Sequence, residues 1–215
     1  MPPAPAPPAD PKELDPATVT LPAGSVLFRV HPERLAATAF NPGHGEGARF
    51  HFVDDGSGGT VPSLYAAETR ATAIAETVFH DVPLRPRGDR RVSSWKLRGR
   101  MLSSFRTRRG LSLVQLHHPG LGRLGLEPGE LTATDPSEYA RTREWAQALH
   151  RHGGHEGLVW VSRLHNTGRA YTFFGDRVSA GALEARGDSL PLFEPPGLEV
   201  VYELAEAYGI TIVHG

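Results

Sequence analysis

The chain has 215 residues, 24 acidic against 23 basic side chains, and a formal net charge of −1; that length supports one sizeable hydrophobic core or two small ones. No cysteine occurs, which excludes disulfides, thiol nucleophiles and cysteine-ligated zinc. Apolar residues make up 39%, an ordinary share for a globular chain, and no apolar run reaches the ~20 residues needed to span a bilayer, so the expectation is a cytoplasmic protein without membrane contact.

Residues 1–22, opening "MPPAPAPPADPKELDP", are rich in Pro and Ala and carry neither the basic nor the apolar region of a secretory signal. They read as a disordered, extended tail, and residues 23–215 as one domain. "SVLFRV" reads as a buried strand that Arg29 interrupts. "FNPGHGEGARF" is a Gly-rich loop that delivers Arg49 onto a strand, "RFHFV"; "DDGSGG" is a turn, and "SLY" a short strand ending in Tyr65.

A helix follows from Ala71, with Ala71, Ile74, Ala75, Val78 and Phe79 forming one buried stripe. Glu76 lies off the centre of that stripe, among Thr69, Thr72, Ala73 and Thr77, with Thr72 and His80 rather than a basic partner at i±4. A lone carboxylate on a face of small side chains reads either as a solvated surface Glu or as a group that another molecule approaches closely.

"RVSSWKL" and "LSLVQLHH" read as further strands. Around them, from Arg85 to Arg109, basic residues run against the single acid Asp89. The reading is two exposed strand faces and their loop, with a surface for an acidic protein partner or phosphates as the alternative. The run lacks the interleaved aromatics of a nucleic-acid platform, so no direct nucleic-acid binding is expected. "TDPSEYARTREWAQALHRHGG" reads as a helix with Asp135 at the N-cap, a core stripe of Tyr139, Trp145, Ala146 and Leu149, and a stop at Gly153. "GLVWVS" and "AYTFFG" are apolar strands. "LEVVYELAEAYGITIV" is a helix closed by Gly209 and then a last strand. Strands and helices without regular βαβ alternation predict a single α+β domain.

Eleven histidines raise the question of a metal, but no HExxH or comparable spacing occurs and none is expected. Arg29 and Arg49, if buried, must be paired or face a polar cavity. Ser162 ends an apolar strand without the G-x-S-x-G elbow of a hydrolase nucleophile.

Two strand arginines, the Tyr65–Glu76 block "LYAAETRATAIAE", and "GLVWVSR" through "FFGDRV" together resemble the RES domain family, from about residue 25 to 180. The family's Arg falls on Arg49, its Tyr on Tyr65, its Glu on Glu76 and its Ser on Ser162, and Arg29 matches the arginine of the first family strand. Here Ala48-Arg49-Phe50 stands where many members have Gly-Arg-Trp, and "HFVDDGSGGTVP" lengthens the link to Tyr65. The resemblance implies a fold like that of ADP-ribosyltransferase toxins. It also implies a toxin that consumes NAD as substrate, with no resident cofactor, and a partner antitoxin of the Xre type; homo-oligomerisation is left open.

The chemistry suits these residues. Nicotinamide leaves neutral, and the ribose becomes oxocarbenium-like, so an ionised Glu76 beside it would stabilise a developing cation. Arg49 and Arg29 would hold the diphosphate, Tyr65 would stack on the nicotinamide, and Ser162 would donate to a phosphate or ribose oxygen. Phosphate as acceptor makes a phosphorylase, water a glycohydrolase and a protein side chain a transferase. A silent NAD-binding module is the remaining alternative.

Overall fold

The computed structural model describes residues 4–45, 48–83 and 90–214. Among them the strands are β1 (Thr18–Leu21), β2 (Val26–Pro32), β3 (Ser63–Ala67), β4 (Arg91–Ser93), β5 (Arg100–Thr107), β6 (Leu111–Leu116), β7 (Gly157–Val161), β8 (Arg169–Phe174), β9 (Leu183–Pro191) and β10 (Thr211–Val213). The α-helices are α1 (Arg70–Thr77), α2 (Gly120–Arg123), α3 (Pro128–Leu131), α4 (Tyr139–His152) and α5 (Gly197–Ala207).

Eight strands form one sheet in the order β1-β6-β7-β8-β3-β2-β5-β9, and β4 pairs with β10 beside it. Within the large sheet only β6 and β7 run parallel. A parallel pair needs a long crossover, and the segment carrying α2, α3 and α4 supplies it. The fold is a single mixed α+β domain, as the sequence predicts.

The period of two along the central strands decides which side chains meet. In β3, Leu64 and Ala66 join Leu27, Phe105 and Phe173 on one face, while Tyr65 packs against the opposite cluster. In β7, Leu158 and Trp160 enter that same cluster and Val159 the other. Tyr65 and Trp160 therefore share a face, their rings edge to face with centroids 5.8 Å apart. The α4 stripe of Trp145, Ala146 and Leu149 covers this face. Elsewhere Ile74 of α1, with Val78 and Phe79 just after it, packs with Val201 and Ala205 of α5.

Of the tail expected to be disordered over residues 1–22, the described part from residue 4 onward is ordered against the domain. β1 pairs antiparallel with β6, Thr18 opposite Val114 through Leu21 opposite Leu111. Ala4, Leu14 and Leu21 are buried, and the Trp145 indole donates to the Pro5 carbonyl at 2.9 Å. The composition is poor in apolar residues, but those few are placed where the β6 edge and Trp145 need cover. Deleting residues 1–21 is therefore expected to lower Tm by about 5–10 °C, the equivalent of roughly 2–3 kcal/mol for a chain of this size. An unchanged melting curve would show that the segment merely rests on the domain.

Other local expectations shift. "RFHFV" forms no strand; it is a loop whose Phe50 and Val53 enter the core. "RVSSWKL" is a three-residue strand followed by a 3₁₀ turn over Ser94–Leu97. Asp135 precedes a 3₁₀ turn, Pro136–Glu138, and makes no side-chain cap. Gly153 does end α4, at φ 95°, a conformation that glycine adopts without strain.

Part of the basic run is neutralised locally. Arg106 and Arg108 share Glu184, Arg109 pairs with Glu156 and Lys96 with Asp81. Arg98 lies over the rings of Trp95 and Phe193. Arg85, Arg87 and Asp89 lie outside the described residues. No helix among the described residues is long and apolar enough to cross a membrane.

Candidate active site

Helix α1 begins where the Thr69 hydroxyl accepts from the Thr72 amide, an N-cap, and runs two turns against β2, β3 and β8. Glu76 lies in its last turn, which contains no basic residue. A carboxylate there opposes the helix dipole, by about 0.3–1 kcal/mol, so something else must hold it. Two donors do: the Ser162 hydroxyl reaches Glu76 Oε1 at 2.7 Å and the Trp160 indole N–H reaches Oε2 at 3.1 Å. Both come from β7 and the residue after it. Glu76 is thus neither lone nor freely solvated; each of its oxygens has a fixed donor.

This arrangement corrects two expectations. Ser162 is 1% exposed, and its hydroxyl is engaged with Glu76 while accepting from the His165 amide at 3.2 Å. Its one hydroxyl proton is directed at the carboxylate rather than into the cleft. Thr72 is fully buried, and its side chain packs on Gly168, where an added Cβ would collide with it. It is small for the sake of the β7–β8 turn. Thr77, by contrast, does line the cleft beside Glu76.

Arg49, Tyr65 and Glu76 converge on one pocket, together with His80, Tyr139 and Arg163. The Arg49 guanidinium is 5% exposed. It donates to the Leu131 carbonyl at 3.3 Å, the Thr134 carbonyl at 3.1 Å and the Thr134 hydroxyl, and lies 5.1 Å over the Tyr139 ring. Burial pushes its pKa down, and the neighbouring Tyr139 and Glu76 push it back up. The Tyr65 hydroxyl accepts from the Phe50 amide at 2.9 Å, and burial raises the phenol well above its ordinary range, so it stays protonated. Its ring is clamped between Trp160 and His51.

The pocket opens into a cleft of ≈ 700 Å³, within the size range of small-molecule sites. Arg29 lines this cleft from β2. It is 4% exposed and donates to the carbonyls of Ala37 and Ala39, at 3.2 and 2.7 Å; burial lowers its pKa to about 10. It remains a cation near neutrality. His51 also lines the cleft, pushed down to about 4 by burial and by Arg143, so its imidazole is neutral.

Sequence reasoning missed Trp160, Tyr139 and Arg163. Arg163 donates to Asp135 at 2.7 Å and to the carbonyls of His80 and Val82, at 2.7 and 3.1 Å. It ties the end of β7 to the loop after α1. Asp135, expected as a helix cap, is instead its counter-ion. Arg163 directly follows Ser162, and that adjacency was the one available signal.

The sequence model of the RES domain matches residues 26–193, most of the chain and every residue of the pocket just described. The chain belongs to the RES domain family. No curated protein matches at the level of sequence. Among solved structures, the crystal structure of the M. tuberculosis MbcT–MbcA toxin–antitoxin complex contains a similar chain. The TM-score is 0.58 at 16% identity, covering 87% of this chain and 92% of that one. At that identity the likeness establishes the shared fold, and this RES domain's chemistry rests on its own residues.

Proposed function

We propose that this RES domain is a toxin that cleaves the nicotinamide–ribose bond of NAD, by phosphorolysis or hydrolysis. The carrying observation is Glu76, pinned by Ser162 and Trp160 in a pocket that also holds Arg49 and Tyr65. Both hydrogen bonds fix the orientation of the carboxylate. A fixed carboxylate needs no reorganisation as positive charge grows on the ribose. Two buried guanidiniums line the pocket and its cleft without a carboxylate ligand of their own, which suits the two negative charges of a diphosphate. The chain acts in the cytoplasm, and a protein antitoxin of the Xre type holds it silent; the family resemblance supports that partner, and the similarly folded chain is a member of a toxin–antitoxin complex.

The test is NAD labelled in its adenosine half, incubated with the pure protein with and without inorganic phosphate. Free ADP-ribose identifies hydrolysis, a phosphorylated ADP-ribose phosphorolysis, and label on protein a transferase. Intact NAD at verified folding would refute the reading. Ser162→Ala is expected to lower kcat about 10- to 100-fold with little change in KM, because Ser162 acts through Glu76, and one hydrogen bond to a charged group is worth about 1.5–3 kcal/mol. A rise in KM alone would instead place the hydroxyl on the substrate.

A further inference from the structure

Arg34 and Arg100 have no part in the chemistry above, yet both line the cleft. The β2–β5 register sets Arg100 opposite Pro32, and Arg34 follows two residues later, so the two side chains leave neighbouring backbone. Burial pushes the Arg100 pKa down, and Arg34 lies close enough to push it further; burial likewise lowers His31, on which Arg29 and Arg100 also act. Among the described residues neither the Arg34 nor the Arg100 side chain makes a hydrogen bond or an ion pair. The lysine of the cleft, Lys96, is neutralised by Asp81 at 3.1 Å. Arg34 and Arg100 thus set two guanidiniums side by side on the cleft with no carboxylate paired to either, which is unfavourable for an empty site.

A second observation points the same way. The Arg29 Nε–H is buried without a partner, and so is the Ser63 hydroxyl on the same cleft. Buried polar atoms are nearly always paired, so these two orphans leave the wall of the cleft short of hydrogen-bond partners. An oxyanion with several acceptor atoms satisfies donors and charges together.

We propose that Arg34 and Arg100 form a phosphate subsite for a phosphate additional to the diphosphate of NAD. One source is free inorganic phosphate acting as acceptor. In that step a phosphate oxygen bonds to the ribose carbon as the carbon–nitrogen bond breaks, its electron pair leaving with neutral nicotinamide. The other source is the phosphomonoester of NADP. The role of the site in turnover rests on the NAD reading; its existence does not.

The experiment therefore reads binding to the full chain at constant ionic strength, with inorganic phosphate, NADP and NAD as probes. The Arg34→Gln/Arg100→Gln double variant is expected to weaken inorganic phosphate, NADP or both by at least tenfold, and NAD by less than threefold. Loss with inorganic phosphate identifies an acceptor site; loss confined to NADP identifies a site for the attached phosphate. Arg34 is exposed, so Arg34→Gln alone keeps the fold and should weaken the same probe at least threefold. The subsite is refuted if the wild-type chain binds neither phosphate nor NADP. It is equally refuted if the variants bind both unchanged, or if NAD weakens as much as the phosphate probes do. Phosphate binding through these arginines with NAD left intact refutes the cleavage reading alone, and NAD cleavage with unaltered phosphate binding refutes the subsite alone.

Discussion

Glu76→Gln is expected to lower NAD turnover by about two to four orders of magnitude while the protein stays folded. Two unit charges 4 Å apart at an effective dielectric of ~20 interact by about 4 kcal/mol, on the order of a thousandfold in rate. The amide keeps the volume and one acceptor but loses the charge. Its oxygen can still accept from the Trp160 indole, and its NH₂ can donate to the Ser162 hydroxyl, which then turns its own proton elsewhere. What is lost is the charge assistance of both hydrogen bonds, offset in part by relief at the helix C-terminus. The stability cost should be about 1 kcal/mol, or roughly 2–4 °C in Tm. Binding of NAD should persist. Melting temperature and turnover measured on one preparation decide the matter: near-normal turnover in the folded variant returns Glu76 to a structural role.

How much of this was legible beforehand depended on the distance over which each residue acts. Tyr65 and Glu76 sit eleven positions apart on one strand–helix unit; periodicity set Glu76 off the buried stripe, and the family resemblance singled out Tyr65. Arg49 was legible as a cation at the end of a Gly-rich loop, although no strand forms there. Trp160 and Ser162 lie 84 and 86 positions beyond Glu76, and nothing local in "GLVWVS" says that its alternate side chains meet the end of α1. Only the sheet order, with β8 between β7 and β3, brings them together. The N-terminal segment failed for the opposite reason. Composition averaged over 22 residues hid the few apolar positions, and "TVTL" becomes a strand because β6 offers an edge. Asp135 shows the same override, since a good capping residue gains more from a buried guanidinium.

Arg49→Met should damage both the fold and the site, and the two losses can be separated. The guanidinium serves three acceptors on residues 131 to 134 and stacks on Tyr139. Met matches the stem but donates nothing, leaving buried oxygens unpaired. The expected cost is about 2–3 kcal/mol, with kcat/KM for NAD reduced at least about 100-fold once the phosphate contact and its charge are gone. Arg49 also offsets the charge of Glu76, whose field raises the arginine pKa in turn. Removing the arginine leaves that carboxylate less compensated, so Glu76→Gln should cost less in the Arg49→Met background than in the wild type. Urea unfolding of the two single variants and the double variant closes the cycle, with a coupling of about 0.5–2 kcal/mol expected. Additive losses would mean that the two groups do not sense each other, and the pocket would then be two independent structural sites rather than one charge pair arranged around a substrate.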